Sequence, residues 1–282
     1  MASPERRYGM TIPFDGVPAR GAPRLVQGVG RPRLHRRVVR RSQRCRRLHP
    51  LALAAAWAPE LRLGTAIVPA FTRGPACLAQ SVASLADAAP GRVAFGIGTS
   101  SNVIVERWNG IPFDEPYRQV SDMVTFLREA LGGDKVTGTF GAARSRGFRL
   151  GLVPRRQPSI LIAALRQGML RLAGGHSDGA IINWLSADDV RRVVPIVAGA
   201  AREAGRPDPE VVARIFVAPT TDRDIVVGGD AWPSPHTSTC PCTRRSTSGW
   251  GEASCSRRCG ACGVKAIARR PSRRSPSPWS TS

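Results

Sequence analysis

Two short runs of the chain, 61–68 (LRLGTAIV) and 92–97 (RVAFGI), are apolar at nearly every position. Between them, residues 75–89 (PACLAQSVASLADAA) carry small apolar residues with a helical period. A strand apolar on both alternating faces is one covered on both sides. The intervening length fits a crossover helix, so the two strands are predicted to run parallel. Pro69 stops the first run, Pro90-Gly91 stops the helix, and the second run closes on Gly98-Thr99-Ser100-Ser101. Ligand sites in parallel α/β units gather at the carboxyl ends of the strands, here 66–72 and 98–101.

The same alternation extends in both directions. Residues 8–18 (YGMTIPFDGVP) read as a short strand that breaks at Asp15-Gly16, and 51–57 as an alanine/leucine helix. Val120, Met123, Val124 and Leu127 repeat at the spacing of an amphipathic helix over 117–131, which Gly132-Gly133 ends. Residues 134–158 read as loop. A buried strand follows at 159–165 (SILIAAL), then a helix at 169–173, a strand at 179–185 (GAIINWL), a helix at 188–204 and a strand at 212–218. Asp188 and Asp189 stand at the start of the 188–204 helix, where its dipole favours negative charge. The prediction is an α/β protein with parallel strands, either doubly wound or a (β/α)₈ barrel. About six strands are legible, against the eight a barrel requires.

Charge divides the chain. The formal net charge is +22, and residues 19–49 contribute 11 Arg and no acid, with no sustained period. Residues 227–282 hold nine basic residues against two acids, crowded with Ser, Pro, Cys and Gly. The stretch between is nearly balanced, so the basic excess belongs to the flanks. Both flanks have the composition that a GC-rich gene gives when read out of frame. The second and eighth strands are therefore expected to be missing from the pattern. One barrel domain is expected over 1–226 and a basic tail after it. Such flanks would adhere to polyanions nonspecifically, which leaves an RNA- or polyanion-binding protein as the reading of another class. No run reaches the roughly 18 apolar residues of a membrane span, and the N-terminus lacks a signal peptide's apolar core, so a cytoplasmic protein is expected.

Isolated motifs are weak. Gly96-Ile97-Gly98 lacks the third glycine of a dinucleotide fingerprint. Cys240, Cys242, Cys255, Cys259 and Cys262 do not fall into paired zinc knuckles, and without a secretion signal they suggest no disulfide framework. His176 reads as a surface residue. Glu106, Arg107 and Trp108 are open to substrate contact or to plain packing.

Four segments together carry a resemblance: RLGTAIVPAFTRGP, RVAFGIGTSSNVIVERWNGIPF, SILIAALRQGMLRLAGGHSDGAIINWLSADDV and RIFVAPT. They resemble the bacterial luciferase-like superfamily, and within it the oxidoreductases that use a deazaflavin, coenzyme F-420 (F420 below). The resemblance implies a luciferase-like TIM barrel, often dimeric, that passes hydride between the deazaflavin and a small organic substrate; an FMN-dependent monooxygenase is the same-fold alternative. It further implies a non-prolyl cis peptide at Ala66–Ile67, after Thr65, supporting the ring. Gly98, Thr99, Ser100 and Ser101 would line the cofactor. Ala164, Leu165, Arg166, Gln167, Gly168 and Met169 would offer helix-start amides to its phosphate. Asn183 and Trp184 would face the pocket. The family's acidic or histidine-bearing second strand should fall inside 19–49 and its last strand inside 227–282, and neither segment matches. No catalytic acid or base, and no metal ligand, is assigned.

Overall fold

The computed structural model of the chain describes residues 7–12, 22–28, 36–39 and 48–215. They build one parallel sheet from β1 (Gly9–Ile12), β2 (Arg36–Val39), β3 (Arg62–Thr65), β4 (Val68–Pro69), β5 (Val93–Gly98), β8 (Ser159–Ala163), β9 (Gly179–Asn183) and β10 (Glu210–Arg214). Its order is β1-β2-β3-β5-β8-β9-β10, with β4 continuing β3 alongside β5. The helices between are α1 (Ala22–Gly28), α2 (Leu48–Trp57), α3 (Pro75–Ala88), α4 (Pro116–Gly132), α5 (Gln167–His176) and α6 (Ala187–Glu203).

The sheet is curled. Arg62 Nη2 on β3 lies 3.0 Å from Glu210 Oε2 on β10, although three strands separate them in the sheet. Four steps across a flat sheet would span about 19 Å. Only a wall bent into a barrel brings these two side chains together. Burial alternates accordingly. Phe95, Ile97, Ile160, Ile162, Ala180 and Ile182 point outward into a core shared with α3, α4, α5 and α6. Ala94, Leu161 and Ile181 point inward and pack with Ala66, Ala163 and Val212. A second outer core joins α1, α2 and α3 around Leu51, Leu61, Leu63 and Leu85. Each such large side chain, fully buried, contributes about 1.5–3 kcal/mol relative to exposure.

Four expectations are corrected. Residues 19–49 are not empty of structure: α1 and β2 lie there, and β2 pairs with β1 on one side and β3 on the other. The two neighbouring ladders hold Arg36–Val39 in the wall, where the residue pattern is too short to announce a strand. The eighth strand expected in 227–282 lies outside the described residues, as do the tail cysteines. Residues 134–158 are not all loop. They include the antiparallel hairpin of β6 (Val136–Phe140) and β7 (Ala143–Phe148), whose Phe140 and Phe148 rings pack on Phe126 of α4 at 5.0 and 5.5 Å. Helix α5 also runs three residues past the expected 169–173, and β10 begins two residues before the expected 212.

Candidate functional site

Parallel strands deliver their carboxyl ends to one pole of the barrel, so Thr65–Ile67, Gly98–Ser101, Ala164–Met169 and Asn183–Trp184 arrive on the same side. The β3–β4 edge is bulged. Leu63 and Gly64 pair with Val93 and Ala94, whereas Val68 and Pro69 pair with Ile97 and Gly98. Thr65, Ala66 and Ile67 therefore stand opposite only Phe95 and Gly96, the extra residue of a bulge. The Ala66–Ile67 peptide within it is cis, as the resemblance implies.

Thr65 closes the bulge. Its buried hydroxyl donates to Gly96 O and accepts from Gly96 N–H, both at 2.8 Å, replacing ladder bonds that the bulge interrupts. Gly96 has no room for a side chain: a Cβ would stand 2.0 Å from Thr65 O and 2.4 Å from Ile181 Cδ1. At the next inward position Ile67 and Ala163 pack over Gly98, so Ile67, Gly98 and Ala163 share one patch of the pole. Past it, Ser101 O accepts from Ile104 and Val105 and starts the π-helical turn Val103–Arg107. This turn sets Glu106, Arg107 and Trp108 on the surface of the same pole.

Helix α5 opens at Gln167 without a side-chain cap from Arg166. The first helical amides have no acceptor inside a helix, so those of Gln167, Gly168 and Met169 face the pole with the positive end of the dipole. Gly168 is exposed, and a Cβ on it would meet only a Tyr117 ring carbon at 3.9 Å. The fold itself leaves space there. By contrast, α6 opens on a complete capping box, Ser186 with Asp189. The Ser186 side chain and backbone hydrogen bonds hold the Asp189 carboxyl below its usual pKa.

Three non-glycine residues in left-handed backbone lie at this pole: Ser100 (φ 69°) after β5, Glu115 (φ 42°) before α4 and Trp184 (φ 59°) after β9. Bulky residues seldom adopt that region, and such residues cluster at ligand sites. Beside Trp184, Asn183 Oδ1 is buried with no hydrogen-bond partner in the protein. A buried acceptor left this way costs about 1–3 kcal/mol, which a donor on a bound molecule would recover.

The opposite pole has another character. Arg62 bridges Ser159 Oγ at 3.2 Å and Glu210, and burial followed by the charge of Arg7 lowers its pKa. His176 is exposed at this end of α5, where its carbonyl accepts from Arg128 Nε, so it is remote from the candidate site. Among the described residues no group of three or more His, Cys, Asp or Glu could hold a metal ion, and no helix is long and apolar enough to cross a membrane. The Thr65–Gly96 clasp is absent from the sequence reading; the available signal was a glycine inside a strand, which marks a bulge or a close approach.

Comparison with known proteins agrees with this architecture. The chain is 31% identical over 169 residues to the 5,10-methylenetetrahydromethanopterin reductase of Methanolobus tindarius, a match covering 58% of this chain and 50% of that protein. It is 28% identical over 188 residues to the F420-dependent hydroxymycolic acid dehydrogenase of Mycobacterium tuberculosis, covering 64% and 52%. The chain thus spans about half the length of the curated relatives it matches. Among solved structures, the coenzyme F420-dependent tetrahydromethanopterin reductase of Methanopyrus kandleri superposes with a TM-score of 0.67 at 20% identity, covering 81% of this chain and 73% of that one. A Type II Baeyer-Villiger monooxygenase from Pseudomonas putida, in complex with FMN, gives 0.63 at 15% identity, covering 79% and 71%. At these identities the solved structures show the fold alone, a curled parallel α/β sheet of the TIM-barrel type. The family model for luciferase-like monooxygenases matches residues 44–227, and the chain belongs to that family.

Proposed function

We propose that this chain is an oxidoreductase that binds the deazaflavin coenzyme F420 at the carboxyl pole and passes hydride between it and a small organic molecule. The observation that carries the reading is the clasped bulge: Thr65 locks Gly96, and the Ile67 and Ala163 side chains pack over Gly98 in the same patch. The similarity to two F420-dependent proteins supports the choice of cofactor. When bound, the deazaflavin supplies a two-electron hydride centre.

The protein's part is position and electrostatics. Ala66 and Ile67 present a rigid apolar surface for a flat ring. Gly98, Thr99, Ser100 and Ser101 bound it on one side, and Asn183 offers an unsatisfied acceptor on another. The open helix start, Leu165 to Met169 with Ala164 behind it, supplies amides for a phosphate. These residue types fit the cofactor: an apolar shelf, one buried acceptor in need of a donor, and an uncapped helix start beside a glycine with free space. Action in the cytoplasm and as a homodimer are the family expectations that accompany this reading.

The test is a spectral titration of the purified full chain with F420 and, separately, with FMN. Saturable stoichiometric binding of F420 and weaker binding of FMN is the expected result. Preferential FMN binding moves the chain to the monooxygenase alternative. Binding of neither, with retention on a polyanion matrix, moves it to the polyanion-binding class.

A further inference from the structure

Residues 133–157 hold six cations, Lys135, Arg144, Arg146, Arg149, Arg155 and Arg156, against one acid, Asp134. They belong to the barrel domain and not to the basic flanks, and all six are exposed. Arg62, Arg118, Arg128 and Arg206 are each tied to a carboxylate, whereas no carboxylate among the described residues pairs with any of these six. The hairpin register sets Val136 opposite Phe148, so Lys135 and Arg149 stand across from one another at its base.

Beyond Arg149 the chain forms a knuckle on the outer rim beside the amino end of β8. Leu150 and Pro154 are buried, and Gly151, Leu152 and Val153 project between them. Leu152 is 46% and Val153 42% exposed, and a Cβ on Gly151 would meet nothing within 4 Å. The knuckle is held from beneath. Val153 lies against Gly133 at the end of α4, and Gln157 Nε2 donates to Leu131 O at 2.8 Å. Arg155 and Arg156 follow at once.

Two adjacent aliphatic side chains thus stand in water inside a ring of cations. Anionic lipid satisfies both: the apolar tip enters the boundary between headgroups and acyl chains, and the cations meet the headgroups. A nucleic-acid backbone would use the cations and leave the aliphatic pair without a role. The phenyl rings of the hairpin, which could stack on bases, are turned onto Phe126. A protein interface is built around a larger apolar centre and is poor in Lys.

We propose that the knuckle Gly151-Leu152-Val153, with Lys135, Arg149, Arg155 and Arg156 around it, docks this chain on an anionic membrane surface. The attachment lies on the surface without spanning it. It leaves the carboxyl pole, with the candidate site, open to solution.

The test is cosedimentation of the full chain with vesicles of phosphatidylcholine, with and without phosphatidylserine. The basic flanks are the same in every variant and give a constant background. Wild type should bind the phosphatidylserine vesicles more tightly. Leu152→Ser combined with Val153→Ser should weaken that binding about tenfold, and equally at high salt, because insertion of apolar groups is not screened. Arg149→Gln, Arg155→Gln and Arg156→Gln together should also weaken it about tenfold or more, given about fivefold per cation at the surface, and this difference should shrink at high salt. Brominated lipid should quench the emission that Val153→Trp adds. All variants should melt as wild type does and bind F420 equally.

Undiminished vesicle binding in both multiple variants overturns the proposal, since the flanks would then carry all of it. A loss confined to the arginine variant overturns it too and leaves a phosphate contact without insertion, as on an RNA backbone. Emission from Val153→Trp that brominated lipid leaves unquenched does the same.

Discussion

The two poles of the barrel are made from the same strands and are built to opposite rules. At the amino pole, charged groups mostly close on one another, Arg206 Nε being a buried atom left without a hydrogen-bond partner there. Asp178 accepts from Arg128 at 2.8 Å and Arg206 at 3.0 Å through Oδ1, and from the Ile160 amide at 2.8 Å through Oδ2. Arg62, Ser159 and Glu210 plug the barrel interior a few residues away. At the carboxyl pole, interactions are left open: an uncapped helix start, an orphaned Asn183 acceptor, three left-handed residues and several exposed rings. Stability is concentrated at one end, and at the other it is forgone where a ligand can supply what is missing. This separation lets loops change at the binding pole without loosening the wall.

The largest effect should come from breaking the stable pole. Asp178→Ala removes the acceptor of two arginines and one backbone amide that joins β8 to the turn before β9. Hydrogen bonds to charged groups contribute about 1.5–3 kcal/mol each, and partial exposure of this cluster reduces that. A loss of about 3 kcal/mol in urea unfolding is expected, with F420 affinity of the folded protein unchanged. A matched fall in affinity would mean that the poles are coupled and do not divide stability from binding.

A smaller, opposite-signed effect should separate the poles at Gly168. Replacing it by valine should weaken F420 binding by about 1–3 kcal/mol, the scale of a charged hydrogen bond to backbone amides. Gly168→Ala fills space that the protein leaves empty in a helix, so the cofactor-free protein should gain about 0.5–1 kcal/mol. Fluorescence titration reads the first and thermal melting the second. Unchanged affinity in the valine variant places the phosphate elsewhere.

Much of the wall was legible because its strands are covered on both faces and its helices alternate with them. Residues 92–97 and 159–165 could hardly be anything but buried strands. The segments that escaped notice are held by partners rather than by their own pattern. Arg36–Val39 has a ladder on each side. In the β6–β7 hairpin, a register shift between Val136 and Gly138 and an outer face of Thr137, Thr139, Arg144 and Arg146 hide the alternation. The site was legible in part through resemblance: residue spacing alone does not announce the bulge at Ala66–Ile67. The Arg62–Glu210 and Asp178 contacts were illegible for a plainer reason. They join residues up to 148 positions apart, and only the curl of the sheet brings them together.

The smallest effect compares two helix starts at the same pole, α5 open and α6 closed. Ser186 accepts from the Asp189 amide at 3.1 Å, and Asp189 accepts in return from the Ser186 amide at 3.2 Å and its hydroxyl at 2.8 Å. Those bonds favour the ionised carboxylate, so folded Asp189 releases its proton more readily than the unfolded chain does. Its contribution is therefore complete above the ordinary Asp range near pH 4, and it is lost as pH falls through the lower folded value. Ser186→Ala should cost about 0.5–2 kcal/mol near neutrality, the usual range for a lost N-cap. The gap between wild type and variant should narrow below about pH 4 as the carboxyl protonates in both. Asp189→Asn should lose the pH-dependent part of the gap and keep the serine cap. Parallel urea midpoints from pH 7 to pH 3 read all three proteins, and a gap that widens on acidification would sink the account. F420 affinity should not follow any of these changes, because α6 spends its first turn on its own serine whereas α5 leaves its first turn to the ligand.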